Sequence, residues 1–157
     1  MELWELTARE RIRASLARYN WSGDAFRLDE LSLAFCEDGQ LEIRGQAPAC
    51  GRAAIVELLG GGIELGDDEA RRAAQRSAAA KSGVKRIVRH ILASTRFLEL
   101  SAEHSLVASY FTVVTEIGLD HYGRYRDEFV PVGDEWLIKH RYVSIDWRAS
   151  ASTMVQC

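Results

Sequence analysis

Four stretches in the second half of the chain decide its fold: KRIVRHILASTRFLEL at 85–100, SLVASYFTVVTEIG at 105–118, GRYRDEFVPVG at 123–133 and EWLIKHRYVSIDW at 135–147. Each is rich in the β-branched and aromatic residues that suit a pleated, half-buried surface. The joints between them, SAEH at 101–104, LDHY at 119–122 and GDE at 133–135, are short enough to be hairpin connections. Long strands in direct succession, with no βαβ alternation, predict an antiparallel sheet. One residue departs from the pattern. His90 stands mid-strand between Val88 and Leu92, where an apolar side chain is expected. Histidine is the side chain that changes charge near neutral pH, so His90 is either a hydrogen-bonded core residue or a chemically active one.

The first half reads as helices. From Thr7 to Tyr19, Ile12, Leu16 and Tyr19 fall on one stripe, while Arg9, Arg11, Arg13 and Arg18 occupy other positions. Thr7 followed by Glu10 matches a capping box. NWSGD at 20–24 predicts a break, after which Leu28, Leu31 and Phe35 recur at helical spacing. In CEDGQLEIRG, 36–45, Leu41 and Ile43 alternate with Glu42 and Arg44 as in a strand, and GRAAIVELLGGG, 51–62, is a short helix stopped by glycines. Helices followed by a long antiparallel sheet make an α+β protein. If the sheet curves strongly, the N-terminal helices close one face of a cone around a pocket. The segment at 60–83, rich in alanine and charge, is either a lid or a solvated insertion, and the tail at 149–157 is expected to fray.

Composition narrows the function. The chain has 157 residues, 47% of them hydrophobic and 27% charged, which suits one globular domain spanning 1–157. A net charge of −3 argues against nucleic-acid and anionic-membrane partners. No apolar run approaches the ~20 residues of a membrane span, and the charged N-terminus is unlike a signal peptide. Cys36, Cys50 and Cys157 are widely spaced and form no CxxC pair, which suggests reduced thiols in the cytoplasm. GxSxG, GxGxxG, P-loop and HExxH motifs are all absent from the sequence. His90 and His121 lack the close HxD or HxE pair expected of a facial-triad iron site.

Two further polar residues bear on His90. Tyr19 ends the apolar stripe of the first helix, so its phenol faces the interior and needs a hydrogen-bond partner. Asp24 is either the N-cap of the next helix or a functional carboxylate. If the helices cover the mouth of a curved sheet, both overlook the cavity into which His90 points. A carboxylate beside an imidazole selects its tautomer and stabilises the imidazolium. A nearby phenol donates to a substrate oxygen. Together these are parts of an acid–base site that needs no cofactor.

The order of elements, with LARYNWSGDAFRLDELSLAFCEDGQLEIRG, GRAAIVELL, VRHILAST, DHYGRYRDEFV and WLIKHRYVSIDW, resembles the SnoaL-like branch of the nuclear transport factor 2-like superfamily. That branch is similar to scytalone dehydratase, bile-acid dehydratase and polyketide cyclases. The resemblance implies a cone-shaped α+β barrel of a strongly curved mixed or antiparallel sheet around a deep apolar pocket, with neither metal nor organic cofactor. It implies Tyr19, Asp24 and His90 as catalytic residues. It also points to His121 and Tyr125, near the pocket rim, as substrate-binding residues, and Tyr110 is added to them as a candidate aromatic lining residue. The expected activity is dehydration or retro-aldol-type elimination on an apolar aromatic or polycyclic small molecule. The family also contains isomerases, cyclases and non-catalytic binding or accessory subunits, and its members commonly form dimers or trimers.

Overall fold

The computed structural model describes residues 1–60 and 87–152. Helix α1 runs from Leu3 to Asp24 and α2 from Leu28 to Ser32; strands β1, Phe35–Ile43, and β2, Ala49–Cys50, lead into helix α3, Arg52–Gly60. The four long strands follow as β3, Val88–Leu100; β4, Ser105–Thr115; β5, Gly118–Val132; and β6, Glu135–Arg148. The sheet order is β2-β1-β6-β5-β4-β3. All neighbours are antiparallel except β1 and β6, which run parallel, so the curved sheet is mixed. It remains open, with β2 and β3 as its two edges.

Helix α1 is longer than its apolar stripe predicts at both ends. It starts at Leu3 because Glu2 and Glu5 form the capping box; the Thr7 hydroxyl instead donates back to the Leu3 carbonyl oxygen. It also continues through NWSGD, and the chain breaks one residue after Asp24, with Phe26 at φ 55°. Helix α2 is only five residues, and Phe35 opens β1 opposite Ile138 rather than closing a helix. LDHY lies within β5, and the true β4–β5 hairpin turns at Glu116–Ile117, relieved by Gly118 at φ +91°. Of the segment at 60–83, Gly60 closes α3 and the rest, like the last five residues, lies outside the described residues. Residues 149–152 are not frayed: the Ala149 amide donates to the Asp120 carbonyl and the Ser152 hydroxyl to the Asp120 carboxylate.

The core lies between α1 and the inner face of the sheet. Ile12, Leu16 and Tyr19 of α1 meet Phe35, Leu41, Phe111, Val113, Phe129 and Ile138, all buried. Strand β4 alternates cleanly, with Val107, Ser109, Phe111 and Val113 inward and Tyr110 outward. Two of the sheet's register shifts bear on the inner face. In β3 the register slips between Ala93 and Arg96, with Ser94 at φ 51°; in β5 it slips so that Asp120 is the extra residue opposite Val113–Val114.

Gly123 is the tightest point of this packing. A Cβ there would run into the Ser144 carbonyl oxygen and lie 2.9 Å from Phe111 Cζ. Backbone cannot yield as a flexible side chain does, so Gly123→Ala is expected to lower stability by at least about 1–3 kcal/mol, the usual cost of overpacking. Urea denaturation of the variant is the measurement, and an unchanged midpoint contradicts the expectation.

Candidate active site

Asp24 is the last residue of α1, where a negative side chain meets the negative end of the helix dipole. That local disadvantage is offset by β3. The Asp24 carboxylate accepts the His90 backbone N–H at 3.0 and 3.2 Å, and its Oδ1 lies 2.6 Å from His90 Nδ1. The carboxylate therefore ties α1 to β3 and caps no helix; the N-cap of α2 is Arg27. Because an ionised carboxylate only accepts, Nδ1 of His90 carries the proton and Nε2 is left with a lone pair. Both side chains are only partly exposed, 24% for His90 and 13% for Asp24.

This pair forms one end of a cleft of about 450 Å³ between α1 and β3. One wall is a helical stripe at i, i+3, i+4 and i+7: Ala17, Asn20, Trp21 and Asp24. The opposite wall is Arg89, His90 and Leu92 on β3. A mostly hydrocarbon surface thus converges on one imidazole–carboxylate pair.

A second pair lies on the same sheet face. His90 registers with Val113 and Val113 with His121, so the two imidazoles sit two strands apart on the inner face, about 10 Å between backbones. The β5 bulge buries Asp120 beside His121, and Nδ1 of His121 lies 2.7 Å from Asp120 Oδ1. Thr115 donates to the other carboxylate oxygen of Asp120 at 3.2 Å. Burial pushes the His121 pKa down and outweighs the opposing effect of Asp120. His121 is therefore a neutral imidazole at neutral pH.

The sign of that shift has a measurable consequence. Folded His121 holds its proton less tightly than the unfolded chain does, so the unfolded state binds more protons as pH falls below about 6.5, the unfolded value. Its contribution to stability is present above that pH and is lost on acidification. Denaturation midpoints of wild type and His121→Gln are expected to converge between about pH 7.5 and pH 5.5 as this contribution disappears. A constant difference contradicts it.

The other sequence-predicted residues separate. Tyr19 is buried on the core stripe of α1 and does not line the cleft; its ring packs edge-on against Phe35 and Tyr125 at 5.9 and 6.2 Å. Tyr125 is not at a rim but buried in the core, stacked on Phe111 at 4.4 Å. Burial raises the pKa of both phenols and keeps them protonated. Tyr110 leaves the site altogether. Strand alternation turns it to the outer face, 57% exposed, opposite in phase to Phe111.

The structure also adds residues that the sequence reading passed over. Arg141 and Asp127 face each other across β5 and β6 as a fully buried, bidentate ion pair at 2.8 and 2.7 Å. The guanidinium carbon lies 4.2 and 4.1 Å from the ring centroids of Tyr19 and Tyr125. Burial opposes the charge on Arg141, but Asp127 more than offsets it and holds the guanidinium protonated. Asp120 was concealed in LDHY, read as a hairpin turn. Asn20 was concealed in a presumed helix break, yet its spacing from Asp24 was the available signal. The partners of Arg141 and Asp127 could be found only once the strand register was known.

An open, curved mixed sheet capped by N-terminal helices, with imidazole–carboxylate pairs on its inner face, defines the class of fold. The chain belongs to the SnoaL-like domain family, whose model matches residues 4–142. Among solved structures it is similar to a protein provisionally assigned as a scytalone dehydratase from Novosphingobium aromaticivorans, with 21% identity over 99% of this chain and 91% of that one and a TM-score of 0.70. ActVI-ORFA from Streptomyces coelicolor shares 18% identity over 88% and 96% of the two chains, with a TM-score of 0.68. A Catenulispora acidiphila protein in complex with S-DNPA shares 21% identity over 88% and 92%, with a TM-score of 0.63. At these identities the likeness concerns the fold. No curated protein matches the chain. Among the described residues no helix is long and apolar enough to cross a membrane.

Proposed function

We propose that the protein is a cofactor-independent acid–base lyase acting on an apolar aromatic or polycyclic alcohol. The observation that carries this reading is the 2.6 Å contact between His90 Nδ1 and Asp24 at the end of an apolar cleft. With Nδ1 committed to Asp24, Nε2 of His90 takes a proton from the carbon beside the hydroxyl-bearing carbon. The electron pair of that C–H bond forms the double bond, and the hydroxide leaves with the proton that Nε2 has just received. The products are an alkene and water, and the imidazole returns to its neutral form. Asp24 steadies the transient imidazolium. A retro-aldol-type cleavage uses the same base on a hydroxyl proton.

His121, held neutral, enters as a substrate-binding acceptor on the same sheet face, while Tyr125 stays in the packed core. Tyr19, buried in the core and away from the cleft lining, is left out of the reacting step, which rests on the His90–Asp24 pair. The similarity to a dehydratase-like structure and to a ligand-bound relative supports a small-molecule role. We further place the protein in the cytoplasm as a dimer or trimer. The stacked, exposed Tyr122–Trp147 pair and Tyr110 on the outer face of the sheet support assembly through that face.

The test is a panel of aromatic and polycyclic alcohols, followed by ultraviolet absorbance for new conjugation and by mass spectrometry for loss of water or of a small aldehyde. Tight binding with no spectral or mass change over long incubation refutes the lyase and indicates a binding or accessory protein. A spectral change at constant mass indicates an isomerase or cyclase.

A further inference from the structure

Asn20 stands in the cleft wall one helical turn before Asp24, a spacing that puts their Cβ atoms about 5–6 Å apart on one face of α1. It is 9% exposed, and among the described residues its Oδ1 is fully buried without a hydrogen-bond donor. Polar side chains at such depth are ordinarily paired, and an unpaired acceptor destabilises the fold. No other cleft-lining residue has a buried polar side-chain atom in this condition among the described residues. The rest of that helical stripe, Ala17 and Trp21, is built to contact hydrocarbon. The oxygen is covered in this conformation, but the terminal torsion of an asparagine is broad and two-fold, so a ligand hydroxyl at the cleft wall pairs it once the amide turns outward.

We propose that Asn20 is a substrate-positioning residue whose amide oxygen accepts a hydrogen bond from a hydroxyl group of the bound molecule. This inference rests on the reading of the cleft as a small-molecule site and deepens it: the substrate carries a phenolic or alcoholic O–H directed at α1. An ether or unsubstituted ring of the same shape leaves the amide oxygen unpaired and binds more weakly. The reacting carbon is then held at a fixed offset from Nε2 of His90, because Asn20 and Asp24 ride on one rigid helix.

Calorimetric titration with 2-naphthol and 2-methoxynaphthalene tests the assignment on the full chain without requiring turnover. Wild type is expected to hold 2-naphthol about tenfold more tightly, the discrimination one neutral hydrogen bond supplies. Asn20→Leu is expected to bring the two dissociation constants together while keeping or raising thermal stability, since an apolar side chain replaces an unpaired polar one. Asn20→Asp retains an acceptor and is expected to retain the preference. The assignment is overturned if Asn20→Leu leaves the ratio unchanged, if neither probe binds wild type, or if Asn20→Leu loses its cooperative thermal transition. A protein that fails the elimination panel yet shows the Asn20-dependent preference loses the lyase reading and keeps this one.

Discussion

His90→Ala is expected to lower turnover of whichever alcohol the panel identifies by about 10²–10⁴-fold, the usual contribution of a positioned acid–base group. The thermal midpoint should move little, because the ring is partly exposed and is not a member of the buried core. Asp24→Asn supplies the companion result. An amide nitrogen facing Nδ1 donates rather than accepts, so the imidazole adopts the opposite tautomer and Nε2 carries a proton where the mechanism needs a lone pair. A comparable loss of turnover is expected with KM little changed, since the cleft walls stay in place. Turnover retained in His90→Ala, or unfolding of that variant, returns His90 to the status of a core residue.

The reading of His90 from sequence rested on its phase in an apolar strand, and the structure places it on the inner face, as that phase required. Asp24 was harder, because a carboxylate after a helical stripe is usually a cap. Its true partner lies 66 positions away and could be identified only by bringing α1 and β3 together. Strand existence in the second half was legible because β-branched residues recur over long runs. The error at LDHY came from treating polar residues as turn formers when the β5 bulge uses them inward. Tyr110 failed for the opposite reason. Its neighbour Phe111 takes the inward phase, and a strand cannot aim two consecutive side chains to one face without a bulge. The parallel pairing of β1 with β6 rests on contacts between the two halves of the chain that no local pattern carries.

The largest effect on stability is expected at the Arg141–Asp127 pair. Both side chains are fully buried, and the guanidinium sits against the Tyr19 and Tyr125 rings. Among the described residues Arg141 Nη1 has no hydrogen-bond partner, and the charge is held chiefly by the two bonds to Asp127 and by the ring faces. Asp127→Leu strands that charge in the interior, and the expected loss is about 3–5 kcal/mol, or about 10 °C in the unfolding midpoint for a chain of this size. Arg141→Met strands the carboxylate and is expected to cost a similar amount. The double variant removes both charges and leaves an apolar side chain between two aromatic rings. Ion pairs replaced by hydrocarbon of similar volume are often neutral, so the double variant should recover most of the loss and show strong non-additivity in a double-mutant cycle. Losses that simply add would mean that each side chain acts through its own packing rather than through the pair. In that case the phenols of Tyr19 and Tyr125, not the ion pair, would be the organising feature of the interior.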